Sequence, residues 1–269
     1  MRGRVLIVAG SDSGGGAGIQ ADIKTVTALG GYAATAITAL TAQNTRGVFG
    51  VVGVEPDFIR KQMRVVLDDI GTDALKTGML HTEAVIAAVA DVLDELDPTM
   101  PVVVDPVMVA TSGDVLLDPG AQSALIRRLL PQATVLTPNI PEAERLSGLA
   151  IPDVGAMREA AERLRVMGAA AVLLKGGHLP GATVHDVLVD AEGVTVFESP
   201  RIETTSTHGT GCTLASAIAA GLAQGLELRH AVARARAYLY EAIRTAPGLG
   251  GGHGPVNHVH TVRPFDPTG

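Results

Sequence analysis

The run Pro101-Val102-Val103-Val104-Asp105 limits the fold more than any other stretch of the chain. Three consecutive β-branched residues leave a strand with no polar face, so it must be buried on both sides, as strands are in parallel sheets covered by helices. Strand-like runs recur at residues 5–9, 32–40, 74–80, 134–137 and 171–175. Between them lie stretches whose apolar residues fall at helical spacing, among them residues 56–70, 82–96, 119–130 and 154–167. Residues 184–189 and 193–197 predict an antiparallel hairpin at the sheet edge, and helices follow from residue 214 and over residues 228–244. Strand and helix in alternation predict an α/β fold of three layers, α/β/α, around a mostly parallel sheet. No internal repeat and no long linker interrupts residues 1–269, so a single domain is expected.

Composition narrows the class. The chain is 46% hydrophobic but only 3% aromatic, with no Trp, which makes its core aliphatic. A net charge of −7 argues against nucleic acid or an anionic membrane as partner, and requires any phosphate ligand to be met by local donors. One Cys rules out an intrachain disulfide and a thiolate cluster, and points to the cytoplasm. The apolar run at the N-terminus is too short for a signal peptide, and no segment approaches a membrane span.

Candidate chemistry gathers after the strands, where open α/β sheets place their ligands. The glycine-rich loop of residues 10–18 lets a ligand approach the backbone closely. Gly16-Ala17-Gly18-Ile19-Gln20-Ala21 satisfies a dinucleotide pattern, yet no acidic residue lies between Asp22 and Glu55 to bind a ribose, and no P-loop pattern is present. Gln43, in the polar cluster of residues 41–45, can read a heterocycle's ring nitrogen and amine, or simply satisfy a turn. Met79 either walls a pocket or closes the core, whereas Met63 reads as core. Asp105 ends its strand either as a holder of hydrated Mg²⁺ or as an Asx turn. Thr111-Ser112-Gly113-Asp114 lies in a polar segment, residues 109–118, that suits a flap. Asn139 and Glu142 can cap a helix reciprocally or order water around a metal. Lys175, ahead of two glycines, suits a nucleotide phosphate. Thr207-His208-Gly209-Thr210-Gly211-Cys212-Thr213 runs from a loop into a helix N-terminus, the arrangement of an anion hole and equally of a capped turn. The glycine-rich residues 248–255 are expected to become ordered only against a ligand.

Taken in order, these motifs resemble the hydroxymethylpyrimidine/phosphomethylpyrimidine kinases of thiamine biosynthesis, in the ribokinase-like superfamily. The resemblance rests on residues 9–22 (AGSDSGGGAGIQAD), 37–45 (ITALTAQNT), 76–80 (KTGML), 104–108 (VDPVM), 137–142 (TPNIPE), 174–178 (LKGGH), 207–213 and 252–258 (GHGPVNH), and spans nearly the whole chain. It implies ATP-dependent phosphorylation of 4-amino-5-hydroxymethyl-2-methylpyrimidine and then of its monophosphate. Gln43 would read the ring nitrogen and amino group, with Asp22 near the hydroxymethyl group or at the pocket's polar edge, and Ala17, Thr41, Met79 and Val107 would wall the ring. Gly209, Gly211 and Cys212 would form the anion hole. Lys175, Thr207 and Asn139 would lie at the nucleotide, and Asp105 with Glu142 would organise Mg²⁺. A homodimer is the expected assembly. A pyridoxal kinase and a non-catalytic binding module are the alternatives. Sugar kinases of the superfamily carry Asp where this chain has Cys212, and a thiol at a helix N-terminus is expected to ionise more easily.

Overall fold

A computed structural model of the chain describes residues 1–110, 112–118, 120–263 and 266. Its strands are β1 (Arg4–Asp12), β2 (Tyr32–Asn44), β3 (Gly47–Gly53), β4 (Ala74–Thr77), β5 (Val102–Val104), β6 (Val135–Leu136), β7 (Val172–Leu174), β8 (Thr183–Asp190) and β9 (Gly193–Pro200). They form one sheet in the order β3-β2-β1-β4-β5-β6-β7-β8-β9. From β2 to β7 every pairing is parallel, while β3 on one edge and β8 and β9 on the other are antiparallel.

The two-sided burial expected of residues 101–105 is what organises the layers. Val102 and Val104 pack into one apolar cluster with Leu6, Val8 and Leu75, and Val103 packs into the other with Val5, Ile7 and Val135. The first cluster is covered by α2 (Pro56–Asp69), α3 (Glu83–Leu93), α5 (Ile140–Ser147) and α6 (Val154–Val166), and the second by α1 (Gly18–Ala28), α7 (Thr210–Ala223) and α8 (Leu228–Arg244). Helix starts follow local chemistry: Thr82 and Asp153 accept N–H bonds from Val85 and Ala156, and Pro56 occupies the first turn of α2. Met63 is core, fully buried under α2.

Four expectations need correction. The strand expected to end at residue 40 continues to Asn44, so Thr41 and Gln43 stand on a strand and not in the loop after it. It then turns back as β3, which was not foreseen because Gly47, Gly50 and Gly53 blur its alternation. The helix expected over residues 119–130 has Pro119 outside the described residues. Its described part is α4 (Ala121–Ala124), which loosens into a π turn (Leu125–Leu129) and a 3-10 turn (Leu130–Gln132) where Pro131 has no amide hydrogen to give. The glycine-rich residues 248–255 are held by the chain itself: Gly252 and His253 donate N–H bonds to Oγ1 and O of Thr45, and Gly254 O accepts one from His208. The flap segment folds back on itself between Val109 and Val115 and is fastened to β3 through Asp114, which accepts the Val48 N–H. Thr111 of that segment lies outside the described residues.

Candidate active site

The carboxyl ends of the parallel strands and the N-termini of α1 and α7 enclose a cavity of about 720 Å³. Its floor is built around Asp12, the last residue of β1 and 3% exposed. The Asp12 carboxylate accepts N–H bonds from Gly14, Gly16 and Ala17 and a bond of 2.8 Å from His208 Nε2. Burial opposes the charge on Asp12, but the bonds from His208, Ala17 and Gly14 outweigh it and hold the carboxyl below its ordinary range. The glycine loop is thereby pinned to the anion-hole loop. Gly209 sits at φ +80°, and a side chain there would overlap the carbonyl oxygen of Gly16. Neither Asp12 nor His208 was singled out from sequence, since each gains its meaning from a partner 196 residues away.

Behind the loop of residues 207–213 lies a fully buried ion pair. Lys76, the third residue of β4, donates from Nζ to both carboxylate oxygens of Asp22 at 3.0 and 2.9 Å, and Ser216 donates to Asp22 Oδ1 at 2.6 Å. Asp22 therefore does not reach the cavity as expected, because it is spent on Lys76, whose own chain backs the cavity wall. Burial by itself would lower Lys76, but Asp22, with Cys212 and Asp105 adding to it, outweighs burial and keeps the ammonium charged. The signal for this pair was in the sequence: a Lys inside an apolar strand requires a buried counter-charge.

Cys212, half-buried in the first turn of α7, lines the cavity together with Gly209 and Gly211. Its thiol runs against expectation. Burial pushes it up to about 12, aided by Asp22 and Asp105, and Lys76 and the Gly18 N–H counter only part of that rise. Desolvation in the enclosed cleft outweighs the pull of the helix N-terminus.

After β5 and β7, Lys175 Nζ donates to Asp105 Oδ1 at 3.0 Å, and Thr137 Oγ1 donates to the same oxygen at 3.2 Å. A Cβ on Gly211 would lie 3.2 Å from Lys175 Nζ, so glycine leaves room for that ammonium. Asn139 and Glu142 form a complete capping box at the start of α5, each accepting the other's backbone N–H. Burial pushes the Glu142 carboxyl up to about 7, with Lys175 opposing and Asp105 adding to the rise. Burial also works against the Lys175 charge, but the carboxylates of Asp105 and Glu142 outweigh it and raise the ammonium. Thr207, at the cavity wall, faces His253 Nδ1 at 3.3 Å.

Ala17, Thr41, Gln43, Met79 and Val107 all line the cavity. Gln43 Oε1 accepts the Thr41 hydroxyl at 3.1 Å and its backbone is tied to Ser13, leaving the amide nitrogen without a partner among the described residues. The opposite lobe is walled by Pro200, Ile202, Leu239, Tyr240 and Ile243.

Comparison with known proteins agrees with this geometry. Residues 12–257 match the phosphomethylpyrimidine kinase family. The chain is 59% identical to the thiamine biosynthesis bifunctional protein ThiED of Geobacter sulfurreducens, over 96% of its own length and 52% of that protein, so it spans about half of that relative. It is 52% identical to the hydroxymethylpyrimidine/phosphomethylpyrimidine kinase of Rhizobium meliloti, over 95% of this chain and 96% of the other. The pyridoxal kinase of Staphylococcus aureus, solved with pyridoxal and with ADP, is 37% identical with a TM-score of 0.90, covering 98% of this chain and 96% of its own. The sheet and its helical layers are thus ribokinase-like, and the chain belongs to the phosphomethylpyrimidine kinase family of phosphotransferases.

Proposed function

We propose that the chain transfers the γ-phosphoryl group of ATP to the hydroxymethyl oxygen of 4-amino-5-hydroxymethyl-2-methylpyrimidine, and then phosphorylates that monophosphate to the diphosphate. The observation that carries this reading is the free amide nitrogen of Gln43 in the same cavity as the anion-hole loop. It offers a donor beside its acceptor oxygen, the pair an aminopyrimidine edge requires. Ala17, Thr41, Met79 and Val107 wall the ring, and the adenine occupies the apolar lobe near Leu239 and Ile243. Lys175, Thr207 and Asn139 stand at the nucleotide phosphates.

Among the described residues no three His, Cys, Asp or Glu converge on one point, so the protein alone offers no metal cage. Asp105 and Glu142 fit Mg²⁺, which is held by one or two carboxylates together with phosphate oxygens and water. Those two carboxylates would hold the ion, which supplies charge neutralisation on the phosphates. The remaining work falls to the chain. The backbone N–H groups of Gly209, Gly211 and Cys212 at the α7 N-terminus would face the transferring group, and Lys175 adds a cation. As the acceptor oxygen bonds to phosphorus, the bond from that phosphorus to the departing ADP oxygen breaks. The acceptor proton leaves late in a loose transition state, so little base is needed; the Cys212 thiol, raised to about 12, takes it only through its small ionised fraction and assists without dominating.

The residues at hand build one sheet, which supports a single domain over 1–269, and the free thiol suits a reducing cytoplasm. No described helix is long and apolar enough to cross a membrane. The exposed Phe49 and Val52 on the edge strand β3 support a homodimer that covers them.

ATP consumption measured in parallel with hydroxymethylpyrimidine, its monophosphate and pyridoxal tests the assignment. Turnover on both pyrimidines above that on pyridoxal is the expected result, and faster turnover of pyridoxal would replace it with a pyridoxal kinase. In the same assay Cys212→Ala is expected to lower kcat by about 100-fold with KM retained, at the lower end of what a general base contributes. Complete loss in both Cys212→Ala and Cys212→Ser would make the thiol the indispensable base.

A further inference from the structure

Two helices meet edge to edge behind the anion hole, and their facing residues are spaced by one helical turn. On α1 the pair is Gly18 and Asp22, and on α7 it is Cys212 and Ser216, each four residues apart and so on one face. One rung is closed by a bond, the Ser216 hydroxyl donating to Asp22 Oδ1 at 2.6 Å, and the other places Cys212 at the cavity one turn before it. Lys76 enters between the helices from β4, completely buried, with two of its protons fixed on Asp22. A Cβ on Gly78 would lie 3.0 Å from Lys76 Nζ, so the neighbouring glycine keeps a space open around the ammonium.

A pair that served packing alone would be dispensable, because well-packed neutral residues often replace a buried ion pair without loss. This one lies directly behind the only thiol of the chain, at the place where the transferred phosphoryl group is proposed to sit. We infer that Lys76 is a positioning residue for phosphoryl transfer: anchored by Asp22 and Ser216, it holds a fixed, water-free cation against the back of the anion hole, on the side of the Cys212 thiolate that takes the acceptor proton. The groups facing that thiol are Lys76 from β4, Asp22 from α1, Asp105 after β5 and Lys175 after β7. Of the four, Lys76 does most to offset the burial of the sulphur. The inference rests on the proposed place of Cys212 in the transfer step.

Because Cys212 is the only cysteine, its alkylation by iodoacetamide, followed by intact mass against pH, reads this charge directly and without turnover. In folded Lys76→Met the reaction is expected to slow about tenfold near pH 8.5, the effect of a thiol raised by one pKa unit. Steady-state assays should show a lower kcat with both KM values within about twofold, a split that loss of ground-state binding would not give. A purely structural pair predicts the opposite sign, since loosening the two helices would expose the sulphur and speed its alkylation. If Lys76→Met does not fold, Asp22→Asn/Lys76→Met removes both charges at similar volume and is also expected to slow alkylation. Unchanged or faster alkylation in either folded variant overturns the inference. The thiol readout can fail while the ATP assay succeeds, and the reverse, so the two readings fall separately.

Discussion

Thr77 follows Lys76 on β4 and points to the opposite face of the sheet, where its hydroxyl is completely buried and has no hydrogen-bond partner. An unmet buried hydroxyl costs about 1–3 kcal/mol, whereas a methyl group of the same shape costs nothing there. Thr77→Val is therefore expected to stabilise the chain by about 1 kcal/mol, a rise in Tm of about 2–4 °C for a protein of this size. Calorimetry on both proteins checks it, and a lower Tm would mean that the hydroxyl is satisfied. The two neighbours show how far single residues could be read. Lys76 announced a buried partner by standing in an apolar strand, but which of the chain's carboxylates it takes depends on how α1 lies over β4. Cys212 announced a reactive thiol by its place at a helix start, but the depth of the cleft above it, which sets the sign of its shift, is a property of the assembled walls.

At the scale of elements, α7 is held from outside by the segment that ends the described chain. Thr213, in its first turn, shares a hydrogen bond of 2.9 Å with His258 Nε2, and the His258 carbonyl accepts the Tyr238 hydroxyl of α8 at 2.8 Å. Burial pushes His258 down to about 4, with Lys24 and His260 adding to the effect. The unfolded chain binds this proton near the ordinary value of about 6.5, so acid favours unfolding. The stability tied to a neutral His258 is complete above about pH 6.5 and is lost as pH falls toward 4. In denaturant melts, His258→Gln should shrink the stability difference between pH 7.5 and 4.5 by about 2 kcal/mol, and an unchanged difference would place the acid sensitivity elsewhere. The Ala-rich run from residue 214 predicts this helix, and the family resemblance picks out the motif containing His258. Their contact was hidden because it joins residues 45 apart through a single side-chain bond. Strand β3 was hidden for a local reason, the three glycines that remove its alternation, while β5 was plain because every residue in it declares the same environment.

Across the whole molecule, the sheet presents an open edge at β3 bearing Phe49 at 72% and Val52 at 66% exposure, beside Leu40 on β2. Edge strands that carry large apolar groups invite a second chain. Sedimentation of the wild type should give a dimer and Phe49→Asp a monomer; a monomeric wild type would remove the homodimer from the reading. The layered α/β architecture was legible because buried parallel strands and amphipathic helices carry distinct periods. The strand order was not, since it is fixed by crossovers in which the chain skips neighbours, as when β4 pairs with β1.

The bond from His208 to Asp12 joins residues 196 apart in a chain of 269. During synthesis β1 and its glycine loop are made long before the loop of residues 207–213, and the Asp12 carboxylate waits for a partner 196 residues further on. Until then a growing chain has its glycine loop but not the loop bonded to it, so on the proposed reading a shortened product holds strands of the sheet without a place for ATP to react.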